Sequence, residues 1–255
     1  MIHFFKKVLP YFICLFFVTN LLYAQKTAEF YKDFLEKVES KLLIGNQRYY
    51  TDTTAYIHLL AYVDTSYNTK EKIGVVMYDE INAIQLRIYR KITQWELVYK
   101  EDSIPLYSYH LQHILIKDFN QDQKPDVLIV GSDGGSRNEQ NNLYIAHQQS
   151  FTRVKGVENL GYWDGHLQHK GKLYYYAHYS CGCGGDCWVA QLFQIVGTEL
   201  VFVAKVGCNC NEIEHYQYKK GKAVLVATDK DCETFKGLTF HAKLRSYWES
   251  YLAKH

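Results

Sequence analysis

One stretch restricts this chain more than any other: Asp118-Phe-Asn120-Gln-Asp122-Gln-Lys124-Pro-Asp126, running directly into Val127-Leu-Ile-Val-Gly131. Oxygen-bearing side chains recur at every second position and end on a carboxylate that opens a β-branched run. A tight loop can turn all of them toward one centre. A hard divalent cation such as calcium takes about six to eight oxygens, and alternating Asp/Asn with one backbone carbonyl supplies them from a short loop. The pattern assigns Asp118, Asn120 and Asp122 as side-chain ligands, the Lys124 carbonyl as a backbone ligand and Asp126 as the closing carboxylate. The alternative is a polar turn rich in Asp and Asn for conformational reasons, although such a turn does not need four of these groups in phase. An EF-hand is excluded, because its sixth and twelfth positions, normally Gly and Glu, are Gln123 and Ile129 here.

After the apolar run come a Gly/Asp turn, Gly131-Ser-Asp-Gly-Gly135, and a second strand pattern, Asn142-Leu-Tyr-Ile-Ala146. Together with the loop, these residues resemble an FG-GAP or VCBS-type repeat, the calcium-bearing hairpin of integrin-like β-propellers. The resemblance extends from about Leu111 to Val154 and departs from the family where Gln123 replaces a Gly. It implies an all-β, β-propeller-like fold of antiparallel sheets built from degenerate hairpin repeats, with calcium as the cofactor. A weaker copy starts at Asp64-Thr-Ser66-Tyr-Asn68, where Lys72 stands at the closing position before Ile73-Gly-Val-Val-Met77. That copy is expected to have kept its strands and lost its metal; two unrelated hairpins are the alternative.

The start of the chain has the form of an export signal. Lys6 and Lys7 precede an apolar run from Val8 to Leu22, and Tyr23-Ala24-Gln25 offers a cleavage site after Ala24. An uncleaved anchor would need a longer run, and this one is broken by Pro10 and Asn20. The expected organisation is therefore a signal peptide over 1–24, a helix and linker over 25–54, and a single β-propeller-like domain over 55–255. The expected location is the periplasm or the outside of the cell, with no membrane span after cleavage. Past Cys14, six cysteines remain: Cys181, Cys183, Cys187, Cys208, Cys210 and Cys232. An even count in an exported chain reads as three disulfides, and zinc is the rival use of the two C-x-C pairs. If each C-x-C pair shares a strand face, the two pairs bridge each other and Cys187 is left for Cys232.

Residues 27–43 place Phe30, Phe34, Val38 and Leu42 on one helical face, and Leu244, Tyr247, Trp248, Tyr251 and Leu252 do the same near the other end. Between these minor terminal helices, short β-branched and aromatic runs separated by polar turns predict strands near 56–63, 73–78, 84–89, 95–99, 127–130, 142–146, 173–179, 188–196, 200–206, 213–218 and 223–227.

The net charge is only +2, and its interspersed signs disfavour nucleic acid as a partner. There is no G-x-S-x-G, H-E-x-x-H or phosphate-cradling loop. His110-x-x-His113 and His166-x-x-His169 would point to opposite faces of a strand. The chain is accordingly expected to be a binding protein and not an enzyme, with a protein or glycan partner. Exported bacterial proteins similar to it include immunity proteins against lysozyme-like cell-wall hydrolases, which implies an inhibitor or immunity role. The alternative is a secreted glycan or cell-wall hydrolase.

Overall fold

The structure, a computed structural model, describes residues 30–40, 49–54, 57–68, 71–80, 83–104, 111–132, 139–182, 187–209, 212–229 and 240–255. The all-β class holds: the strands form three antiparallel sheets, with a helix near each end. Contacts divide the chain into two compact units, Met1–Ser103 and Ile104–His255, where the sequence suggested one domain over 55–255. The described residues form no closed barrel or propeller; their sheets are open meanders.

In the first unit, helix α1 (residues 30–40) accompanies a meander of β1 (Tyr49–Thr54), β2 (Ile57–Asn68), β3 (Glu71–Glu80), β4 (Ala83–Lys91) and β5 (Trp95–Ile104). α1 buries Tyr31, Phe34, Leu35 and Val38 against Val63, Val76, Tyr89 and Trp95. This is the i, i+3, i+4, i+7 face of a helix with 3.6 residues per turn, whereas strict four-residue spacing drifts off it. Phe30 is consequently 56% exposed, and Leu42 lies outside the described residues.

The helix can sit this close because β3 carries Gly74, whose missing Cβ would lie 2.9 Å from both Leu35 Cδ2 and Trp95 Cζ3. Gly74→Val is expected to lower stability by about 1 to 3 kcal/mol through overpacking, read from the urea midpoint. Lys72 hydrogen-bonds the half-buried end of α1 through Glu39, and Lys91 Nζ reaches Glu39 Oε2 at 2.8 Å and Glu36 Oε1 at 2.9 Å. Burial disfavours the Glu39 carboxylate, but the bonds from Lys72 and Lys91 outweigh it and hold its pKa below the ordinary value. Lys72 thus has an ion-pairing role of its own at the position where the Asp64 stretch lacks a closing carboxylate.

The second unit opens with a four-stranded meander, β6 (Leu111–Lys117), β7 (Asp126–Ser132), β8 (Glu139–His147) and β9 (Ser150–Arg153). After a single 3-10 turn at Val157–Asn159 comes a six-stranded one: β10 (Tyr162–His169), β11 (Lys172–Gly182), β12 (Cys187–Val196), β13 (Glu199–Asn209), β14 (Glu212–Lys219) and β15 (Lys222–Asp229). Helix α2 (Phe240–Lys254) ends the chain.

The two-residue period of a strand sorts the side chains into layers. Leu128, Val130, Leu143 and Ile145 pack with Tyr175, Ala177, Phe193 and Ile195 between the two sheets. The opposite face of the six-stranded sheet, with Tyr176, Trp188, Ala190, Leu192 and Val206, takes Leu244, Trp248 and Leu252 of α2. Val127, Ile129 and Tyr144, on the other face of β7 and β8, are buried as well, which explains why the 127–131 run is apolar without interruption.

The cysteine pairing differs from expectation. Cys181 bonds Cys187, with Cα atoms 5.2 Å apart, across the hairpin between β11 and β12. The register slips between Ser180 and Gly182, so that Gly182 faces Cys187. That irregularity removes Cys181 from the regular face shared with Cys183 on which the cross-strand pairing relied, and Cys187 is not left for Cys232. Cys208 is buried and also disulfide-bonded, while Cys183, Cys210 and Cys232 lie outside the described residues.

Candidate functional site

The 118–126 loop connects β6 to β7, with Gln121 (φ 62°) and Gln123 (φ 67°) in the left-handed region. Its own side chains hold this curve. Asp122 N–H donates to Asp118 Oδ1 and Asn120 Oδ1, each at 3.1 Å; Gln123 N–H donates to Asp118 Oδ2 at 2.8 Å; Lys124 N–H donates to Asp122 Oδ1 at 3.0 Å. Gln123 occupies the left-handed position that glycine fills at least cost, and its N–H closes the turn onto Asp118.

Asp126 turns inward. It is fully buried, and its two oxygens accept the N–H groups of Phe119 and Ala146, both at 2.8 Å. Burial pushes its pKa up to about 7 against the pull of those two hydrogen bonds, and the nearby Asp122 and Asp118 carboxylates push the same way. Each oxygen that accepts one N–H keeps a second lone pair. The loop offers oxygens of the kind a hard cation takes, but the Asp118, Asp122 and Asp126 carboxylates do not converge as the ligand atoms of a metal cluster do; Lys124 Nζ, 3.7 Å from Asp122 Oδ2, is the adjacent positive charge.

The loop also joins the two sheets of the second unit. Asn120 Nδ2 donates to the Gly197 carbonyl at 3.2 Å, Leu173 N–H donates to Gln121 Oε1 at 3.1 Å, and Tyr175 Oη donates to the Phe119 carbonyl at 2.9 Å. Phe119 packs with Trp163 and Tyr175 at centroid distances of 5.6 and 5.7 Å.

Beside the loop lies a cleft of about 800 Å³, walled by Asp118 and Gln121, by His166 on β10, and by Arg245 and Glu249 on α2, with Lys117 at its edge. Its charges are of both signs. Glu249 Oε1 accepts from Arg245 Nε at 3.0 Å, and both Asp118 oxygens accept loop N–H groups. Burial lowers the pKa of Lys117, whose ammonium lies 5.9 Å from the Phe119 and Tyr175 ring centres. His166 is lowered by burial and then by the positive charges of Lys117 and Arg245. Two cations, Lys117 and Arg245, thus share the cleft with the imidazole of His166, brought together from three separate elements; no sequence motif links them.

A second cluster was invisible in the sequence: Asp164 of β10, His178 of β11 and His241 of α2 bring their ligand atoms within 4.8 Å of one another. Asp164 Oδ2 lies 2.7 Å from His178 Nδ1 and Oδ1 lies 2.8 Å from His241 Nδ1. Trp163-Asp164-Gly165 was the only local hint, a glycine beside a polar residue where a strand bulges. His166 lines the cleft as an exposed side chain.

No family model matches the chain, and no curated protein does. Among solved structures, one described as "Structure of a Xanthomonas Type IV Secretion System related protein" is 13% identical, covering 72% of this chain and 95% of that one at a TM-score of 0.37. At that score the likeness carries no argument about this chain.

Proposed function

We propose that this chain is an exported, calcium-stapled binding protein, and that the cleft beside the 118–126 loop is where it meets its partner. The observation that carries the proposal is the position of the loop: it both joins the two sheets and forms one wall of a concave polar site. Calcium would be held by Asp118, Asn120, Asp122, Asp126 and the Lys124 carbonyl, in keeping with the FG-GAP-like pattern. It would supply fixed positive charge beside the Asp118 and Asp122 carboxylates. The Cys181–Cys187 bridge supports export to an oxidising compartment, and among the described residues no helix is long and apolar enough to cross a membrane. In this reading Lys117 and Arg245 would contact acidic groups of the partner, and a protein inhibitor of a cell-wall hydrolase fits that chemistry, since such enzymes work with paired carboxylates.

The test is a titration of the processed protein against a lysozyme-like peptidoglycan hydrolase, run beside a glycan-hydrolysis screen of the protein alone. Saturable inhibition that weakens at least tenfold in Lys117→Glu or Arg245→Glu is expected. Hydrolysis by the protein itself, abolished by changing a carboxylate outside the loop, would replace the binding function with the hydrolase one.

A further inference from the structure

We propose that Asp164, His178 and His241 form a second, nitrogen-rich metal site for a zinc-class divalent cation, separate in residues and in chemistry from the 118–126 loop. In the pairing of β10 with β11, Trp163 faces Ala177 and Gly165 faces Tyr176, so Asp164 is the extra residue of a bulge. A bulge re-aims the side chain it carries, and here the Asp164 side chain, only 2% exposed, is directed at two imidazoles. No lysine or arginine pairs with it among the contacts of the described residues; its charge is met by the Nδ1 atoms of His178 and His241.

The ring of His178 is held in place from several sides. Tyr162 stacks on it at 5.2 Å between centroids, and Phe240 meets it edge-on at 4.9 Å. Gly161 (φ +73°) lets the preceding turn lie against its backbone, since a Cβ there would come 2.4 Å from the His178 carbonyl oxygen. His241, on the first turn of α2, is 67% exposed on its side chain and closes the cluster from the solvent side. The result is one rigid imidazole, one buried carboxylate and one accessible imidazole. That is the layout of a site with fixed ligands beneath and an entry path above.

Two imidazole nitrogens and a carboxylate suit zinc and its neighbours in the first transition row and do not suit calcium, which takes oxygen ligands. Three protein ligands leave a fourth position for water or for Glu139. The latter's Oε2 accepts the Trp163 N–H at 3.4 Å, next to the bulge. In the metal-free protein the Nδ1 atoms that face Asp164 carry protons. A cation bound at Nδ1 would leave each neutral ring with its one proton on Nε2, so both imidazoles would change tautomer as it enters.

The experiment is a calorimetric titration of zinc chloride into the metal-depleted, disulfide-intact chain, repeated with cobalt chloride while the visible spectrum is recorded. One equivalent of zinc is expected, with cobalt bands of a four- or five-coordinate site. Affinity should fall about 10- to 100-fold in His241→Ala, as loss of a ligand or its support does, and in Asp164→Asn. His241 is exposed, so its variant should fold even if Asp164→Asn does not. Zinc bound equally well by His241→Ala, or no saturable zinc binding by the folded wild-type chain, would overturn the proposal.

Discussion

Asp126→Ala is expected to destabilise the protein by about 2 to 4 kcal/mol, and to do so in the presence of a chelator. Each of the buried N–H groups of Phe119 and Ala146 loses its acceptor, and a stranded buried donor costs roughly 1 to 3 kcal/mol. Part of that loss is returned, because burial already disfavours this carboxylate and raises its pKa to about 7. A raised pKa means the fold holds a proton that the unfolded chain releases. In chelator, the contribution of this group is therefore full below about pH 4 and declines as pH rises through 7. Urea unfolding of wild type and variant at pH 5 and pH 8 checks both statements: the difference between the two proteins should be larger at pH 5. The size of the effect follows from position. The carboxylate is the bolt between the start of the loop and β8, and its loss frees the loop from both.

Trp248→Ala should cost about 3 to 5 kcal/mol, the range for removing a large buried aromatic side chain. Trp248 is fully buried between α2 and the six-stranded sheet, packed with Leu244 and Leu252. Its indole N–H finds no acceptor, so the ring is held by packing alone. Trp248→Phe should accordingly cost much less than Trp248→Ala, since it leaves most of the volume in place and removes an unsatisfied donor. Urea midpoints for the two variants decide it; equal losses would mean that the indole nitrogen matters in a way its surroundings do not explain.

The strand pattern was legible because β-branched and aromatic alternation is local. The runs at 73–78, 84–89, 188–196 and 200–206 lie within β3, β4, β12 and β13. β1, β6, β9 and β10 were not predicted; YYTDTT, SFTR and YWDGHLQH contain too few apolar residues in phase to stand out. The helix near the start was placed correctly, with its buried stripe turned by one residue toward Tyr31 and Leu35.

The Cys181–Cys187 bridge was not foreseen, because it sits at a register irregularity near Ser180 that no composition rule anticipates. The same reason hid the Asp164 cluster: its members are far apart in sequence, and a one-residue bulge in β10 aims the carboxylate. Of the loop, the spacing of Asp118, Asn120, Asp122 and Asp126 was readable. That Asn120, Gln121 and Phe119 tie it to the six-stranded sheet, and so make it the wall of a cleft, required the tertiary structure.

Calcium titration of the full processed chain is the most direct test of the staple on which the proposed function stands. One equivalent of calcium is expected, accompanied by a rise in Tm, and both should vanish in Asp122→Ala, which leaves the buried Asp126 bonds intact. A second calcium equivalent would contradict the loss of the metal from the Asp64 stretch, where Lys72 pairs with Glu39. No calcium binding by the folded wild-type protein would reduce the 118–126 loop to a turn held by its own side chains.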